Sequence, residues 1–306
     1  MKNRSFLYLL SCLSTFLLSG CLGLGGGGTT SAITETVFAD WNSITKTIQV
    51  NLEGISTDVS YTANDYNIAT LTNKGTDITT TASVKYETDN TISKISVTTQ
   101  NGTVTFDEDN GDTIGTTGTT IYGYNESGSD FFLAADPLNS SVNWNYQTFG
   151  IWETGRGTGS GTAGGISVGT ITTGSNIPAS GTATYTGYYG GAFSDRDGDD
   201  FLTHGNVSVS ADFGNRTLGF QTSGDEFVSP VASTPSWTGD TNQAMSGTLT
   251  YSSANNSFAG DITDSYNNSG TASGKFYGPN AEELGGVFNI TGSALYLHAG
   301  AFGAKK

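Results

Sequence analysis

Alternation of apolar and polar residues is the dominant pattern along this chain. The segment 48–52 (Ile-Gln-Val-Asn-Leu) alternates residue by residue, and so does the segment 206–213, which turns at Gly214-Asn215 and returns through 217–220. A period of two residues is typical of β-strands with one buried face. Glycine, asparagine and aspartate recur between such segments, as tight turns require. The pattern therefore predicts an all-β protein.

Residues 32–143 form the first of two regions. Segments 91–99 and 103–106 flank Gln100-Asn101-Gly102, and an Asn-Gly pair is a strong signal for a short hairpin turn. A second turn is indicated at Asn110-Gly111. We predict a β-rich domain over 32–143.

Residues 144–306 form the second region, a succession of strands and turns. The strand candidates are 144–152, 182–193, 206–213, 217–220, 247–251, 257–262, 270–277 and 285–291. About eight strands in hairpin order predict an antiparallel up-and-down β-barrel over 144–306. Side chains fill most of such a barrel. A membrane pore is disfavoured because the strand faces lack a continuous apolar outer band.

Residues 1–20 have the features of a bacterial export signal. Lys2 and Arg4 precede an apolar stretch that is too short for a permanent transmembrane helix. The stretch ends in Leu18-Ser19-Gly20-Cys21, the pattern of a lipobox. We predict that Cys21 is the lipid attachment residue, acylated with fatty acids such as palmitate. An ordinary cleaved signal followed by a chance cysteine is the alternative.

The segment 21–31 is a glycine-rich tether that has few side chains to pack. Leu22 follows the acylated cysteine, where an aspartate commonly retains lipoproteins at the inner membrane, so Leu22 favours the outer membrane. Cys12 lies in the signal, so no cysteine after Cys21 is available for a disulfide, a metal site or a catalytic thiol.

Composition and charge narrow the classes of partner. The net charge is −16, and removal of Lys2 and Arg4 with the signal makes it two units more negative. Without a basic stripe, nucleic-acid binding is disfavoured, while a basic partner is favoured by long-range attraction. Only 13% of residues are charged and 43 are glycine, which is consistent with β structure rich in turns.

An acidic run at 195–200 is the one candidate metal site. Asp195, Asp197 and Asp199 alternate as in a calcium loop, but Gly198 comes at the fourth position and Asn206 stands where a bidentate Glu is required. An acidic, solvated hairpin loop is the favoured interpretation. The sequence thus predicts no resident metal and no cofactor.

Aromatic residues are the candidate ligand contacts. Tyr188, Tyr189 and Phe193 lie beside glycines next to the acidic run, and exposed aromatics commonly anchor interfaces. The same residues are equally typical of barrel packing. His204 and His298 are far apart, and with no Gly-x-Ser-x-Gly motif they are interpreted as strand residues. The glycine-rich segment 155–161 precedes no helix pattern and is interpreted as a surface loop. We predict that the protein is not an enzyme.

The segment 274–288 (Gly-Lys-Phe-Tyr-Gly-Pro-Asn-Ala-Glu-Glu-Leu-Gly-Gly-Val-Phe) resembles the signature of the transferrin-binding protein B family of surface lipoproteins. In it, Pro279 and Glu282-Glu283 suit the start of a short helix, and Gly285-Gly286 suit its end. The segments 211–218 and 301–306, the lipobox and the tether are also similar to that family. The resemblance covers about 144–306.

The resemblance implies an eight-stranded barrel beside an N-terminal handle domain, which would be residues 32–143. It also implies display on the outer surface of the outer membrane by a dedicated translocator. Full members carry two such lobes, whereas this chain has the length of one, and single-lobe relatives bind haemoglobin, haem or a complement regulator. The resemblance therefore implies binding of a host protein or an iron-bearing ligand without identifying it. A structural or adhesive surface protein without a soluble ligand is the alternative.

Overall fold

The structure, a computed structural model, describes residues 34–44, 48–64, 67–89, 91–228, 236–240, 243–293 and 296–306. The expected signal peptide, Cys21 and the tether lie outside the described residues. In the described part, strands form two sheets, and the helical elements are short 3-10 turns. None of the helices found there is long and apolar enough to span a bilayer. The prediction of an all-β fold is confirmed.

The first sheet has eleven strands. They are β1 (Thr34–Val37), β2 (Ile48–Asn64), β3 (Asn67–Asp77), β4 (Thr81–Tyr86), β5 (Ile92–Thr99), β6 (Gly102–Asp107), β7 (Thr113–Thr117), β8 (Thr120–Tyr124), β9 (Phe131–Ala135), β10 (Gln147–Thr154) and β11 (Ser160–Gly169). Their order is β6-β5-β4-β2-β11-β10-β9-β8-β7, and β1 and β3 also pair with β2. The sheet curls into a partly closed handle. The predicted hairpin at Gln100-Asn101 joins β5 to β6.

In the first sheet, apolar residues of a strand point to the buried face and polar residues point to the exposed face. Val50 and Leu52 of β2 are buried in the core, while Asn51 between them is exposed. Farther along β2, residues 54–59 are buried on both faces. Here Ile55 and Val59 belong to apolar clusters that include residues of the second sheet. The simple alternation therefore ends where the second sheet covers the outer face of the first.

The second sheet contains nine strands, eight of which close a barrel. They are β12 (Thr182–Ser194), β13 (Asp200–Asp212), β14 (Thr217–Val228), β15 (Thr238–Gly239), β16 (Met245–Ser252), β17 (Ser257–Asp264), β18 (Ser269–Tyr277), β19 (Glu283–Thr291) and β20 (Leu297–Lys305). The ring runs β13-β12-β20-β19-β18-β17-β16-β14 and closes through β13–β14, while the short β15 pairs beside β14. The predicted eight-stranded antiparallel barrel is confirmed.

Aromatic side chains fill the barrel. Phe276 is fully buried and packs against the rings of Tyr185, Phe213, Tyr251 and Phe258. This packing explains why so glycine-rich a chain can form a core, because each large ring removes much apolar surface from water.

Strand pairing places β10 and β11 in the first sheet, which differs from the sequence prediction. β11 pairs with both β10 and β2. The chain enters the barrel between Gly169 and Thr182, whereas the sequence assigned the strand beginning near Trp144 to the barrel. Both faces of that strand, β10, are buried. Trp152 packs in the core of the first sheet, while Phe149 and Ile151 face the barrel. Its composition therefore resembles that of a barrel strand. The eighth place in the barrel belongs to β20.

The prediction of a short helix near Pro279 is wrong. Residues 278–281 form a tight turn, Ala281 has a φ of 57°, and β19 already begins at Glu283. The Glu283 carboxylate instead accepts backbone N–H bonds from Asn145, Tyr146 and Gln147 at 2.6, 3.0 and 3.0 Å. These bonds tie the start of β10 to the barrel, so the segment that joins the two sheets satisfies its backbone donors with a buried acid.

Glycine brings the two sheets into close contact. A Cβ added to Gly165 in β11 would lie 2.5 Å from the carbonyl carbon of Gly300 in β20. The buried Gln147 side chain fills the hollow over Gly285 and Gly303, where a Cβ would lie 2.7 and 2.3 Å from its amide atoms. The sheets therefore pack partly backbone to backbone. We call this contact between the first sheet and the barrel the seam.

Candidate ligand-binding cleft

The three aromatic residues predicted as ligand contacts lie on β12 but face two directions. Tyr188 is 45% exposed, whereas Tyr189 and Phe193 are 1% and 9% exposed. Successive side chains of a strand point to opposite faces, so Tyr189 and Phe193 point into the barrel and Tyr188 points out of it. The structure therefore does not bring the three side chains onto one surface.

Tyr189 and Phe193 have partners inside the barrel. The Tyr189 hydroxyl donates to Asp225 Oδ1 at 2.6 Å, and Thr222 Oγ1 donates to the same oxygen at 2.9 Å. Burial raises the pKa of Tyr189, and the nearby Asp225 carboxylate raises it further. Phe193 packs against Tyr296 and His298. These contacts are those of core residues.

A cavity of about 370 Å³ opens in the seam beside Tyr188. We call it the cleft. One wall comes from β8, β9 and β10, and the other from β12, β13 and the end of β14. Its apolar lining includes Leu133, Val142, Phe149, Ile151, Leu202 and Val228. The floor of the cleft is thus formed by side chains of both sheets.

The mouth of the cleft is aromatic and polar. Trp237 is 41% exposed, and its ring lies edge-on to His204 with centroids 4.1 Å apart. His204 Nε2 lies 3.3 Å from Glu226 Oε2, and both side chains are nearly half exposed. Partial burial lowers the pKa of His204, although the carboxylates of Glu226 and Asp225 oppose this. Threonines 117, 119 and 120 of the first sheet also line the cleft.

Sequence reasoning missed Trp237 and assigned His204 an ordinary strand role. His204 does lie in β13, but it acquires a place at the mouth only because the first sheet packs nearby. The one sequence signal for Trp237 is an isolated tryptophan in a stretch rich in serine, threonine and proline (229–238), where a large aromatic side chain has no predicted strand face to fill.

A buried charge cluster occupies another part of the seam. Arg156 lies 3.5 Å from Asp200 Oδ2 (Nη2) and 4.0 Å from Glu153 Oε2 (Nε), and the Tyr61 hydroxyl donates to Glu153 Oε1 at 2.9 Å. Burial raises the pKa of Glu153 to about 8, and the neighbouring Asp200 carboxylate contributes. Burial also raises the pKa of Asp200, against the attraction of Arg156. We call Glu153, Arg156 and Asp200 the charge cluster. Two carboxyl groups share one guanidinium there.

The acidic run forms the loop between β12 and β13. Asp195 Oδ1 accepts the backbone N–H groups of Asp197 and Asp199 at 2.9 and 3.0 Å, and Asp200 belongs to the charge cluster. The Asp195 carboxylate therefore closes its own turn. Over the ranges that the structure describes, no group of three or more acidic, histidine or cysteine residues is placed to hold a metal ion.

His298, the second histidine, is fully buried inside the barrel. Its Nε2 lies 2.9 Å from Thr203 Oγ1, and burial lowers its pKa to about 4. It is therefore a neutral core residue of β20.

Comparison with known proteins identifies the barrel. Residues 177–306 match the family described as the C-lobe and N-lobe beta barrels of Tf-binding protein B. The matched range begins between β11 and β12, where strand pairing passes from the first sheet to the barrel. No curated protein matches the sequence.

Several solved structures of transferrin binding protein B are similar to this chain at low sequence identity. A variant from Haemophilus parasuis Hp5 is 13% identical, with 86% of this chain and 78% of that chain covered and a TM-score of 0.41. A variant from Actinobacillus pleuropneumoniae H49 is 14% identical, with 83% and 99% covered and a TM-score of 0.42. Isotype 1 from serogroup B Neisseria meningitidis is 12% identical, with 84% and 76% covered and a TM-score of 0.36. Because the family match coincides with the closed barrel, residues 177–306 of this chain form a transferrin-binding protein B-like barrel.

Proposed function

We propose that this protein is a lipid-anchored protein of the outer membrane that faces the exterior and binds a host protein or an iron-bearing ligand. The match of residues 177–306 to the barrels of Tf-binding protein B carries the proposal. The lipobox at Cys21 and the tether that follows support anchoring, and the family resemblance supports export by an outer-membrane translocator.

Binding, and not catalysis, is the proposed activity. The family is named for binding, and a fold hosts chemistry only where a site supplies it. His298 is held inside the barrel by Thr203, and His204 pairs with Glu226 and Trp237 at the mouth of the cleft. These arrangements suit packing and recognition.

The rim of the cleft supports a contact role for Tyr188 and Trp237. Both are large aromatic side chains more than 40% exposed, and they border one cavity although they are distant in sequence. Exposed tyrosine and tryptophan beside a pocket are typical of residues that dominate binding energy at interfaces. The net charge of −16 favours a partner with a basic surface.

The test is capture of serum proteins by intact cells that display the protein. We expect recovery of one host protein or iron carrier and a loss of recovery by at least about tenfold in the Tyr188→Ala, Trp237→Ala double variant. Tyr266→Ala is the matched control, because Tyr266 is also exposed, at 46%, but lies on the β17–β18 loop. External protease should remove the protein from intact cells.

Two outcomes count against the proposal. Resistance to external protease in intact cells would contradict surface display. Repeated recovery of matrix or cell-surface molecules with no iron carrier and no other soluble host protein would favour the structural or adhesive alternative.

A further inference from the structure

The cleft has the size and lining of a site for a small molecule. An engineered apolar cavity of about 150 Å³ binds benzene, so 370 Å³ has room for a molecule of about two to three rings. Ligand sites of this kind are mainly apolar, with a few polar groups that fix orientation. Leu133, Ile151, Leu202 and Val228 supply the apolar part.

Polar groups of the cleft stand at its mouth. His204 and Glu226 are nearly half exposed there, and the Tyr188 ring is exposed beside them. The deep end is closed by Phe149 and Ile151, which are 7% and 6% exposed. A ligand that enters therefore buries an apolar body and keeps a hydrogen-bonding end near His204.

Charge decides which ligands are compatible. Among the described residues that line the cleft, none is lysine or arginine, and Glu226 adds a carboxylate at the mouth. Inside the cleft an anionic group would lose its hydration without a cation to replace it, a cost of several kcal/mol for a buried ion, and at the mouth it would lie near the Glu226 carboxylate. A fatty acid or another carboxylate is therefore a poor fit.

We propose that the cleft binds a small, uncharged, largely apolar molecule of about two to three rings, with one hydrogen-bonding group at the mouth. This site goes beyond the proposed function and does not depend on it. Binding of a macromolecule at the rim and binding of a small molecule inside the cleft are separate events. Serum capture measures the first, and dye titration measures the second.

Two dyes that share one skeleton test the proposal. N-phenyl-1-naphthylamine is uncharged, and 1-anilinonaphthalene-8-sulfonate is nearly the same molecule with an added sulfonate. Each is titrated into the unacylated chain, residues 22–306, which includes all the described residues. We expect saturable fluorescence enhancement with the uncharged dye at one site per chain and at least about tenfold weaker binding of the sulfonate.

Variants locate the dye. Leu133→Trp places a larger side chain in the cleft, and we expect at least about tenfold weaker binding of the uncharged dye. Leu138→Trp is the matched control, since Leu138 is 49% exposed and lies outside the cleft, and it should bind as the parent does. Tyr188→Ala alters only an exposed rim residue, so it tests the same site if Leu133→Trp fails to fold, and it should weaken binding several-fold.

The proposal is overturned if the uncharged dye does not bind. It is also overturned if both dyes bind alike, or if Leu133→Trp, folded by near-ultraviolet circular dichroism, and Tyr188→Ala both bind like the Leu138→Trp control. Serum capture is measured independently, so loss of the dye site leaves the proposed host-protein function standing, and the reverse also holds.

Discussion

The interior of the barrel and the seam are built from the same kind of strand but are packed in different ways. Inside the barrel, rings such as Phe276, Phe258 and Phe302 are completely or almost completely buried and contact one another. In the seam, apolar side chains occur in small clusters, glycine backbones touch, three ionisable side chains are buried, and a cavity of about 370 Å³ remains. The barrel is a filled scaffold, and the seam is the place with room for a ligand.

The last strand shows how one element serves both regions. Phe302 and Ala304 of β20 point into the barrel core, whereas Ala299 and Ala301 point to the seam. Small residues on the outer face let the first sheet approach closely, and large residues on the inner face fill the barrel. Side-chain size, more than polarity, therefore distinguishes the two faces of this strand.

Truncation of a core ring should have the largest effect. Phe276→Ala should lower the free energy of unfolding by about 4 kcal/mol, because a fully buried aromatic ring leaves a cavity among four other rings. Phe149→Ala should cost about 2 kcal/mol, since Phe149 already borders open space in the cleft. Urea denaturation followed by circular dichroism measures both. Equal losses would contradict the distinction between a filled barrel and a loosely packed seam.

The barrel strands were predictable because apolar and polar residues alternate within each short segment of the sequence. The segments 206–213, 217–220 and 257–262 show inward and outward residues in the sequence itself, and each lies in a strand of the structure except for Phe213, which begins the turn after β13. The hairpin order of about eight such strands predicted the up-and-down barrel, and the resemblance of 274–288 to a known family implied the same form.

The seam was not predictable in the same way. β10 is buried on both faces, so its residues do not reveal which sheet it joins, and the sequence assigned it to the barrel. The cleft forms where β9 and β10 meet β13 and the end of β14, between residues that are far apart along the chain. Tyr188 was identified as a candidate, but which of Tyr188 and Tyr189 faces out depends on the closure of the barrel, which places Tyr189 in the core.

Close contact of backbones in the seam gives the second prediction. Gly165→Ala should lower the free energy of unfolding by about 2 kcal/mol, because the new methyl group would lie 2.5 Å from the backbone of Gly300 and force the sheets apart. Gly239→Ala is the control, since nothing lies within 4 Å of a Cβ there. Denaturant titration compares the two. A Gly165→Ala protein as stable as the control would mean that the seam adjusts without cost.

The charge cluster gives a prediction about pH. Glu153 has a pKa raised to about 8 by burial, against about 4.5 in the unfolded chain. A folded-state pKa above the unfolded value stabilises the protein at low pH, and this stabilisation is lost as pH rises through 8. We therefore expect the free energy of unfolding to fall by about 1 kcal/mol from pH 7 to pH 9.

Glu153→Gln tests that assignment. Glutamine retains an acceptor for the Tyr61 hydroxyl but does not titrate, so the loss between pH 7 and pH 9 should disappear. Glu126→Gln, at an exposed loop position, should retain it. Both histidines have lowered pKa values, so they titrate below this window. An unchanged pH dependence in Glu153→Gln would assign the proton to another group.

The smallest expected effect separates two adjacent tyrosines of β12. Tyr189→Phe should cost about 1 kcal/mol, because it removes one donor to the buried Asp225 carboxylate; among the described residues, Thr222 is then its remaining side-chain donor. Tyr188→Phe should change stability by less than about 0.5 kcal/mol, since the ring is 45% exposed. Denaturant titrations of the two variants in parallel measure the difference. If Tyr188→Phe lowered the free energy of unfolding as much as Tyr189→Phe, the outward face of β12 would contribute to stability as the barrel core does. Tyr188 would then be a packing residue of the scaffold and not an exposed residue of the rim.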